Sequence, residues 1–491
     1  MFIEITGHRK NNEKDNLHNN NLKSKRNPLK KNAGRIMDML LPEQFLNVEK
    51  FLDFPVKMYQ NNDFVSICDK FLEKPTKLIE DSWESVGNEK SNETFVYAAY
   101  VDKRESLYEV KLVAISKGVE SYSENVKYCY LWFHDKDKPE IVMVQQRSDN
   151  HFDALTRYAG FFFNCHWNDK VATPYAVSLS TKPCSEQKRF FKIKDNSFYM
   201  KNSLYNFSVC VTPLHNNYNN VSQLIEMIEI NRLFGANHFT FYKHSVGDEL
   251  QRALNLYEKE GIIDVLNWNL PVNVDPFPED PRIEIEIHYF AQLAALNDCL
   301  YRNFLKYKFI VFSDMDELIV PQLHNSWFEM LRHASAEWSS RNVLLQDVQT
   351  FQPIIGSYML RNVFIPIQWS ENTLANYSEF DETTEHLLSI YQINTAFRTY
   401  CEKKIYPGYI RSKYIVRSHV TKLVAVHQAM KFINYKNLWQ ITVEPHTGLL
   451  YHFRQWIDNK EGNFKNKCGR LLKFLPKYLN SILEKLKLLE S

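Results

Sequence analysis

From Tyr205 to Pro321 the sequence switches repeatedly between short apolar runs and amphipathic segments, and this alternation restricts the fold more than any other feature. "FSVCVTPL" reads as a buried strand. "VSQLIEMIEINRLFGA" spaces Leu224, Ile225, Ile228 and Leu233 at near-helical intervals and meets a stop at Gly235, after which "NHFTFYKH" is a strand again. "DELQRALNLYEKEG" reads as a helix ended by Gly261, "IIDVLNW" as a strand, "EIHYFAQLAALNDCLYRNF" as a long helix and "KFIVFSD" as the next strand. Strands and helices in this order imply right-handed crossovers and a mainly parallel sheet, so the fold class is α/β.

The last of these strands runs straight into charge. "KFIVFSDMDELIVP", Lys308 to Pro321, sets Asp314, Asp316 and Glu317 within four residues after an apolar run. In open α/β sheets ligands bind beyond the carboxyl ends of the strands. Two acids one residue apart at such an end give hard oxygen ligands for Mg²⁺ or Mn²⁺, which in turn bridge the oxygens of a diphosphate. An Asp at a strand end often does no more than cap a turn; the apolar strand, the third carboxylate and the preceding strand–helix pattern favour a metal here, with Glu317 supporting the metal site or the local turn. A haloacid-dehalogenase-type phosphatase also ends an apolar strand in D-x-D. Its motif continues with Gly and a hydroxyl residue and opens its domain, whereas Glu317 and Leu318 come next here and about a hundred residues of βα pattern precede.

The remainder of the chain is less regular. Residues 1–35 are Asn- and Lys-rich and read as a disordered basic arm, 36–89 as a partly helical lead-in, and 90–200 as a β-rich region built on runs such as "TFVYAAYV" and "KYCYLWFH". Residues 201–465 hold the α/β domain, and 466–491 form an amphipathic C-terminal helix. With 60 Lys and Arg against 58 Asp and Glu, spread along the chain, there is no electrostatic case for nucleic acid. Eight cysteines form no C-x-x-C pair, which argues against a zinc ribbon or a thioredoxin-like site and permits disulfides. Sequons begin at Asn92, Asn206, Asn220 and Asn376, a number that so Asn-rich a chain reaches by chance. The start carries no signal-peptide pattern, and no run of about 18 apolar residues could span a bilayer.

The stretches "SVCVTPLHNNYNNVSQLIEMIEINRLFGANHFTFYKH" and "HYFAQLAALNDCLYRNFLKYKFIVFSDMDELIVP" resemble the catalytic domain of glycosyltransferase family 92, and the resemblance continues through "IRSKYIVRSHV" to "LLYHFRQW" and upstream to "TFVYAAYVDKRES". It implies a GT-A nucleotide-sugar domain preceded by a small β-rich region. The implied reaction is a metal-dependent, inverting transfer of galactose from UDP-galactose to a glycan acceptor, an N-glycan or another polysaccharide, in a β linkage. The implied location is the Golgi membrane, although the type II anchor usual in that family is not visible in this sequence.

By the same resemblance Asp314 and Asp316 hold Mn²⁺, or Mg²⁺, and the diphosphate. The histidine that completes such a metal shell falls on His452 in "LLYHFRQW", with His427 as the alternative. Thr212, Pro213, Leu214 and Asn217 in "TPLHNN" line the nucleotide pocket together with Lys243, while Arg411 and Lys413 meet phosphate or acceptor. An ordinary βα loop and solvated basic residues are the plainer readings of the same segments. An inverting transfer also needs a carboxylate base. Glu371, Glu379, Asp381 and Glu382 in "FIPIQWSENTLANYSEFDETTEH" are candidates, without a choice among them. A catalytically silent UDP-sugar or glycan-binding module on the same fold is the rival from a different class.

Overall fold

The structure is a computed structural model that describes residues 73–86, 94–117, 126–147, 156–167, 172–200, 205–274, 286–341, 355–369, 382–433, 438–455 and 465–490. Nine strands, β1 Glu84–Ser85, β2 Thr94–Asp102, β3 Tyr108–Lys117, β4 Tyr128–Trp132, β5 Glu140–Met143, β6 Gln145–Arg147, β7 Tyr158–Trp167, β8 Ala176–Ser180 and β9 Phe191–Lys194, form one sheet. Their order is β5-β4-β8-β9-β2-β3-β7-β6, with β1 on β2. All its pairs are antiparallel except β2 with β9, as expected of short Val-, Tyr- and Phe-rich runs joined by tight polar turns.

Beyond it comes the alternating region: β10 Tyr205–Val211, α1 Val221–Phe234, β11 Ala236–Lys243, α2 Asp248–Lys259, β12 Ile263–Asn267, α3 Gln292–Asn303 and β13 Tyr307–Ser313. The chain goes on through β14 Glu317–Pro321, α4 Trp327–Arg341, β15 Ile355–Leu360, β16 Asn362–Pro366, α5 Glu382–Ile390, β17 Tyr400–Glu402 and β18 Lys413–Arg417. It closes with β19 Thr421–Val424, β20 Ala429–Phe432, β21 Trp439–Thr442, β22 Gly448–Arg454, β23 Lys465–Lys467 and α6 Leu475–Glu490. A seven-stranded sheet runs β12-β11-β10-β13-β18-β15-β21, and β14-β22-β16 make a separate three-stranded sheet. The first four strands of the larger sheet are mutually parallel, β18 is antiparallel to both its neighbours, and β15 and β21 are parallel again. The sheet is therefore mainly parallel, as the alternation predicts.

Side chains of β10 divide by parity, which is how a strand buried on both faces reads. Phe207, Val209 and Val211 join the core beneath α1 and α2, while Cys210 joins a second core with α3 and with Tyr97 and Tyr100 of the first sheet. Asp298 on α3 ties the layers together, accepting from Tyr100 Oη and Tyr242 Oη at 2.6 Å each and from Arg302 Nε at 3.0 Å. Left without those donors, a carboxylate this deep would cost several kcal/mol, on the order of 3 to 5. Disulfides join Cys129 to Cys165, Cys210 to Cys299 and Cys401 to Cys468, and none of the described cysteines is free.

Helix α1 begins at Asn220, whose side chain accepts from the Gln223 N–H at 3.0 Å, and ends at Gly235 with φ 117°, a conformation open to glycine at little cost. The helix expected from Glu286 instead begins at Gln292, because Tyr289, Phe290 and Ala291 take left-handed φ values of 45°, 56° and 54°. Tertiary contacts hold that strained corner. Phe290 is buried, its carbonyl accepts from Trp268 Nε1 at 2.9 Å, and its ring stacks on His215 at 4.0 Å.

Glu226 on α1 is buried and accepts from both Thr395 N and Thr395 Oγ1 at 2.8 Å; burial nevertheless pushes its carboxyl up to about 7. Between its ordinary value of 4.5 and that value, the folded chain keeps a proton that the unfolded chain has released. Stability is therefore expected to fall as pH rises across the window, by up to roughly 3 kcal/mol. Melting curves at pH 5 and pH 8 should show a smaller loss of Tm on going alkaline for Glu226→Gln than for the wild type. Identical pH dependence in the two proteins would remove Glu226 as its source.

Candidate active site

Strand β13 runs between β10 on one side and β18 on the other, and it ends at Ser313. The chain then makes a tight, self-bonded turn. Asp314 N donates to Glu317 Oε2 at 3.0 Å, Glu317 N donates to Asp314 O at 3.2 Å, and Ser313 Oγ donates to Glu317 O at 3.1 Å. From the turn it leaves the larger sheet and enters the smaller one as β14, so the three acids sit where the two sheets meet. Pairing of β14 with β22 sets Glu317 opposite His452, and Phe453 N donates to Asp316 O at 2.8 Å.

Two basic side chains face the acids. His452 Nε2 lies 3.4 Å from Asp316 Oδ2, and its Nδ1 lies 3.3 Å from Glu317 Oε1. Lys413, at the start of β18 and only 2% exposed, reaches Asp314 Oδ2 at 3.0 Å and Glu317 Oε2 at 3.4 Å. Burial opposes ionisation of Asp314, but Lys413 and Thr212 prevail and hold it at about 2. Asp316 is buried, and His452 brings it below the usual carboxylate range. Glu317 goes the other way, pushed up to about 7 by burial, with Asp314 and Asp316 adding to the shift and Lys413 and His452 opposing it. Burial lowers the imidazole of His452, yet Asp316 and Glu317 leave it above its ordinary value.

The donor types gathered at the turn suit a divalent ion, although among the described residues no three of them bring ligand atoms within 4.8 Å of one another. Asp314 gives one oxygen to Lys413 and leaves Oδ1 buried without a hydrogen-bond partner, a state that native structures seldom tolerate without a ligand or water. Carboxylate oxygens with one imidazole nitrogen suit Mn²⁺ or Mg²⁺.

The other residues singled out from the sequence scatter. Thr212 lies beside Asp314 and helps to hold its carboxyl down. Pro213 and Leu214 are buried, Leu214 as part of the core, with its N–H donating to Tyr242 O and its carbonyl accepting from His244 N. Asn217 is exposed, with φ 50° and its N–H on Ser245 Oγ. Lys243 Nζ donates to Gln251. His427 stands by Lys413 rather than by Asp316: its Nδ1 faces the Ser412 carbonyl at 3.0 Å, and burial, then Lys413, press it down to about 4. Glu382 is exposed at the start of α5, while Glu371, Glu379 and Asp381 lie outside the described residues.

Two neighbours of the site escape the sequence reading. Tyr289, in the strained corner before α3, is pushed up to about 12 by burial and then by Asp314 and Asp316. Arg454 sits two residues past His452 on β22, hence on the same face. Its guanidinium lies 4.9 Å from the Phe364 ring, which Arg411 approaches at 5.2 Å and the His452 ring at 5.0 Å. The i, i+2 spacing in "YHFR" was the available signal; for Tyr289, read as helical, there was none.

A family model, that of glycosyltransferase family 92, matches residues 205–487, starting at the first residue of β10. Among curated relatives, the β-1,4-galactosyltransferase galt-1 of Caenorhabditis elegans is 26% identical over 235 residues, 46% of this chain and 51% of that protein. Glycosyltransferase family 92 protein F13G3.3 of the same organism is 25% identical over 165 residues, 32% of each. The chain thus spans about half the length of the first of these and a third of the second. A solved structure, glucosyl-3-phosphoglycerate synthase from Mycobacterium tuberculosis with Mn²⁺, UDP and glucosyl-3-phosphoglycerate, shares 12% identity over 60% of this chain and 83% of its own. Its TM-score of 0.23 is too low to carry any residue of one onto the other. With more than half of its length inside the family match, the chain belongs to glycosyltransferase family 92.

Proposed function

We propose that this chain is a metal-dependent, inverting galactosyltransferase that moves galactose from UDP-galactose to a hydroxyl of a glycan acceptor, forming a β linkage. The single observation that carries the reading is the acidic turn after β13, with His452 brought to 3.4 Å from Asp316 by the β14–β22 register. Asp314, Asp316 and His452 would hold Mn²⁺ or Mg²⁺. Bound there, the ion supplies Lewis-acid charge to the diphosphate oxygens. Lys413 and Thr212 keep Asp314 ionised and oriented, and Glu317 steadies both the turn and the His452 ring. Arg411 and Arg454, flanking Phe364 beside His452, offer positive charge to a diphosphate or to the acceptor.

In the transfer the anomeric carbon loses its bond to the UDP oxygen, which departs with the electron pair, and gains a bond to the acceptor oxygen from the opposite face. The acceptor proton passes to a carboxylate. Glu382 and the neighbouring acids 371, 379 and 381 stand as candidates for that base. Disulfides among the described residues accord with an oxidising compartment, and family resemblance suggests the Golgi membrane. Among the described residues no helix is long and apolar enough to cross a membrane.

The test is UDP release by the purified chain from UDP-galactose with a mixed glycan acceptor pool, with Mn²⁺ or with chelator. Release that needs both metal and acceptor is the expected result. Metal-dependent UDP binding without release from any sugar donor would replace the reading with that of a silent binding module.

A further inference from the structure

We propose that His333, Glu337 and His446 form a second metal site, suited to Zn²⁺, that clamps helix α4 to the root of strand β22. His333 and Glu337 are four residues apart on α4 and so share one face. His446 lies in the turn between β21 and β22, with its Nε2 at 3.3 Å from Glu337 Oε1. One donor atom from each of the three can be chosen so that all lie within 4.8 Å of one another. Two imidazoles and a carboxylate are the donor set of zinc sites, and nitrogen ligands turn the preference away from Mg²⁺ and Ca²⁺.

A second observation points the same way. The ring of His324 lies 5.0 Å from that of His333, and its Nε2 is buried with no hydrogen-bond partner. A buried ring nitrogen left unsatisfied is costly; His324 stands outside the group of three, so it would join an ion at His333 only after its ring turned toward it.

The plainer reading is a surface ion-pair network, because Arg341 Nη2 also touches Glu337 Oε1 at 2.7 Å. That guanidinium is held independently by Glu444 at 2.6 Å, so Glu337 can turn to a cation without leaving Arg341 unpaired. The remaining contact of Glu337, from Thr447 Oγ1 to Oε2 at 3.4 Å, is long. The site is distinct from the acidic turn. Gly448, where β22 begins, is four residues from His452, about 13 Å along a strand, too far for one ion to serve both. An ion at His446 would restrain the base of the strand that carries His452, and its effect is on stability, with no part in group transfer.

Zinc titration calorimetry and melting curves on the chelator-stripped full chain test this, because neither readout depends on turnover. The double variant Asp314→Asn/Asp316→Asn should still bind one Zn²⁺ and still gain Tm from it, whereas His333→Ala/His446→Ala should lose that gain. Loss of outer-shell partners alone lowers metal affinity by about 10- to 100-fold, so losing two ligands should exceed that. If the histidine variant folds poorly, Co²⁺ on the wild-type chain decides: a four-coordinate, nitrogen-rich site gives an intense visible spectrum, and an octahedral oxygen site does not. A Tm response to Zn²⁺ unchanged in the histidine variant, or a weak octahedral Co²⁺ spectrum alone, would overturn the proposal. Because the carboxylate variant is expected to be inactive yet still to bind zinc, failure of the transferase reading and failure of this one are separable.

Discussion

Asp316→Asn is expected to lower metal-dependent turnover by about 10³-fold, the scale on which loss of a preorganised electrostatic group acts, while Tm stays within a few degrees of wild type. The substitution removes a charge without removing volume. The backbone role of the residue, its carbonyl accepting from Phe453 N, survives, and His452 keeps Glu317 at 3.3 Å. Asp314→Asn should behave similarly in turnover, with a larger thermal cost because Lys413 loses its shorter contact. The measurement is initial rate against Mn²⁺ concentration, with circular dichroism to check the fold. Full activity in the Asp314→Asn/Asp316→Asn double variant would sink the assignment of this turn as the metal site.

The largest stability effect is expected at Lys413. Lys413→Met leaves the buried Glu317 and the partly exposed Asp314 facing each other without their cation, and breaking a buried pair in this way costs about 3 to 5 kcal/mol. For a protein of this size that corresponds to a Tm lower by roughly 3 to 5 °C. The same groups set the sign of the pH dependence. In the wild type Asp314 is held low, at about 2, so its contribution is present above the ordinary value of 3.8 and is lost as pH falls toward 2. In the variant both carboxyls shift upward, so the deficit should be greater at pH 8 than at pH 5. Read from the sequence, Lys413 is a phosphate or acceptor contact. That role predicts a raised KM with Tm unchanged, and an unaltered melting curve for Lys413→Met would favour it over the buried pairing.

How much of the site is legible without coordinates depends on how local each feature is. The apolar run before Asp314 and the helical spacing across α1 and α2 are properties of consecutive residues, and they appear in the structure as β13, α1 and α2. The start of α3 departs from its sequence pattern, since the helical spacing through "HYFAQ" takes no account of Trp268 and His215, which hold Phe290 in a left-handed turn. Lys413 is visible as a charge, but whether it faces solvent, a phosphate or the two acids Asp314 and Glu317 depends on β18 pairing with β13, a contact across a hundred residues of chain. Arg454 and the His333–Glu337–His446 group carry the same lesson, since each becomes notable only by what distant segments bring beside it.

The sequence by itself therefore determined the α/β class, the strand that ends in acid and, through family resemblance, the pairing of that acid with His452. These rest on periodicity, residue chemistry and motif, all of which survive without coordinates. Tertiary structure alone decided that the acids lie where two sheets meet, that Lys413 is their counter-ion, and that Glu317 titrates upward while Asp314 is held down. The physical reason is that burial and strand register arise from segments far apart in the chain, and a carboxylate's charge state depends on which of those segments closes over it.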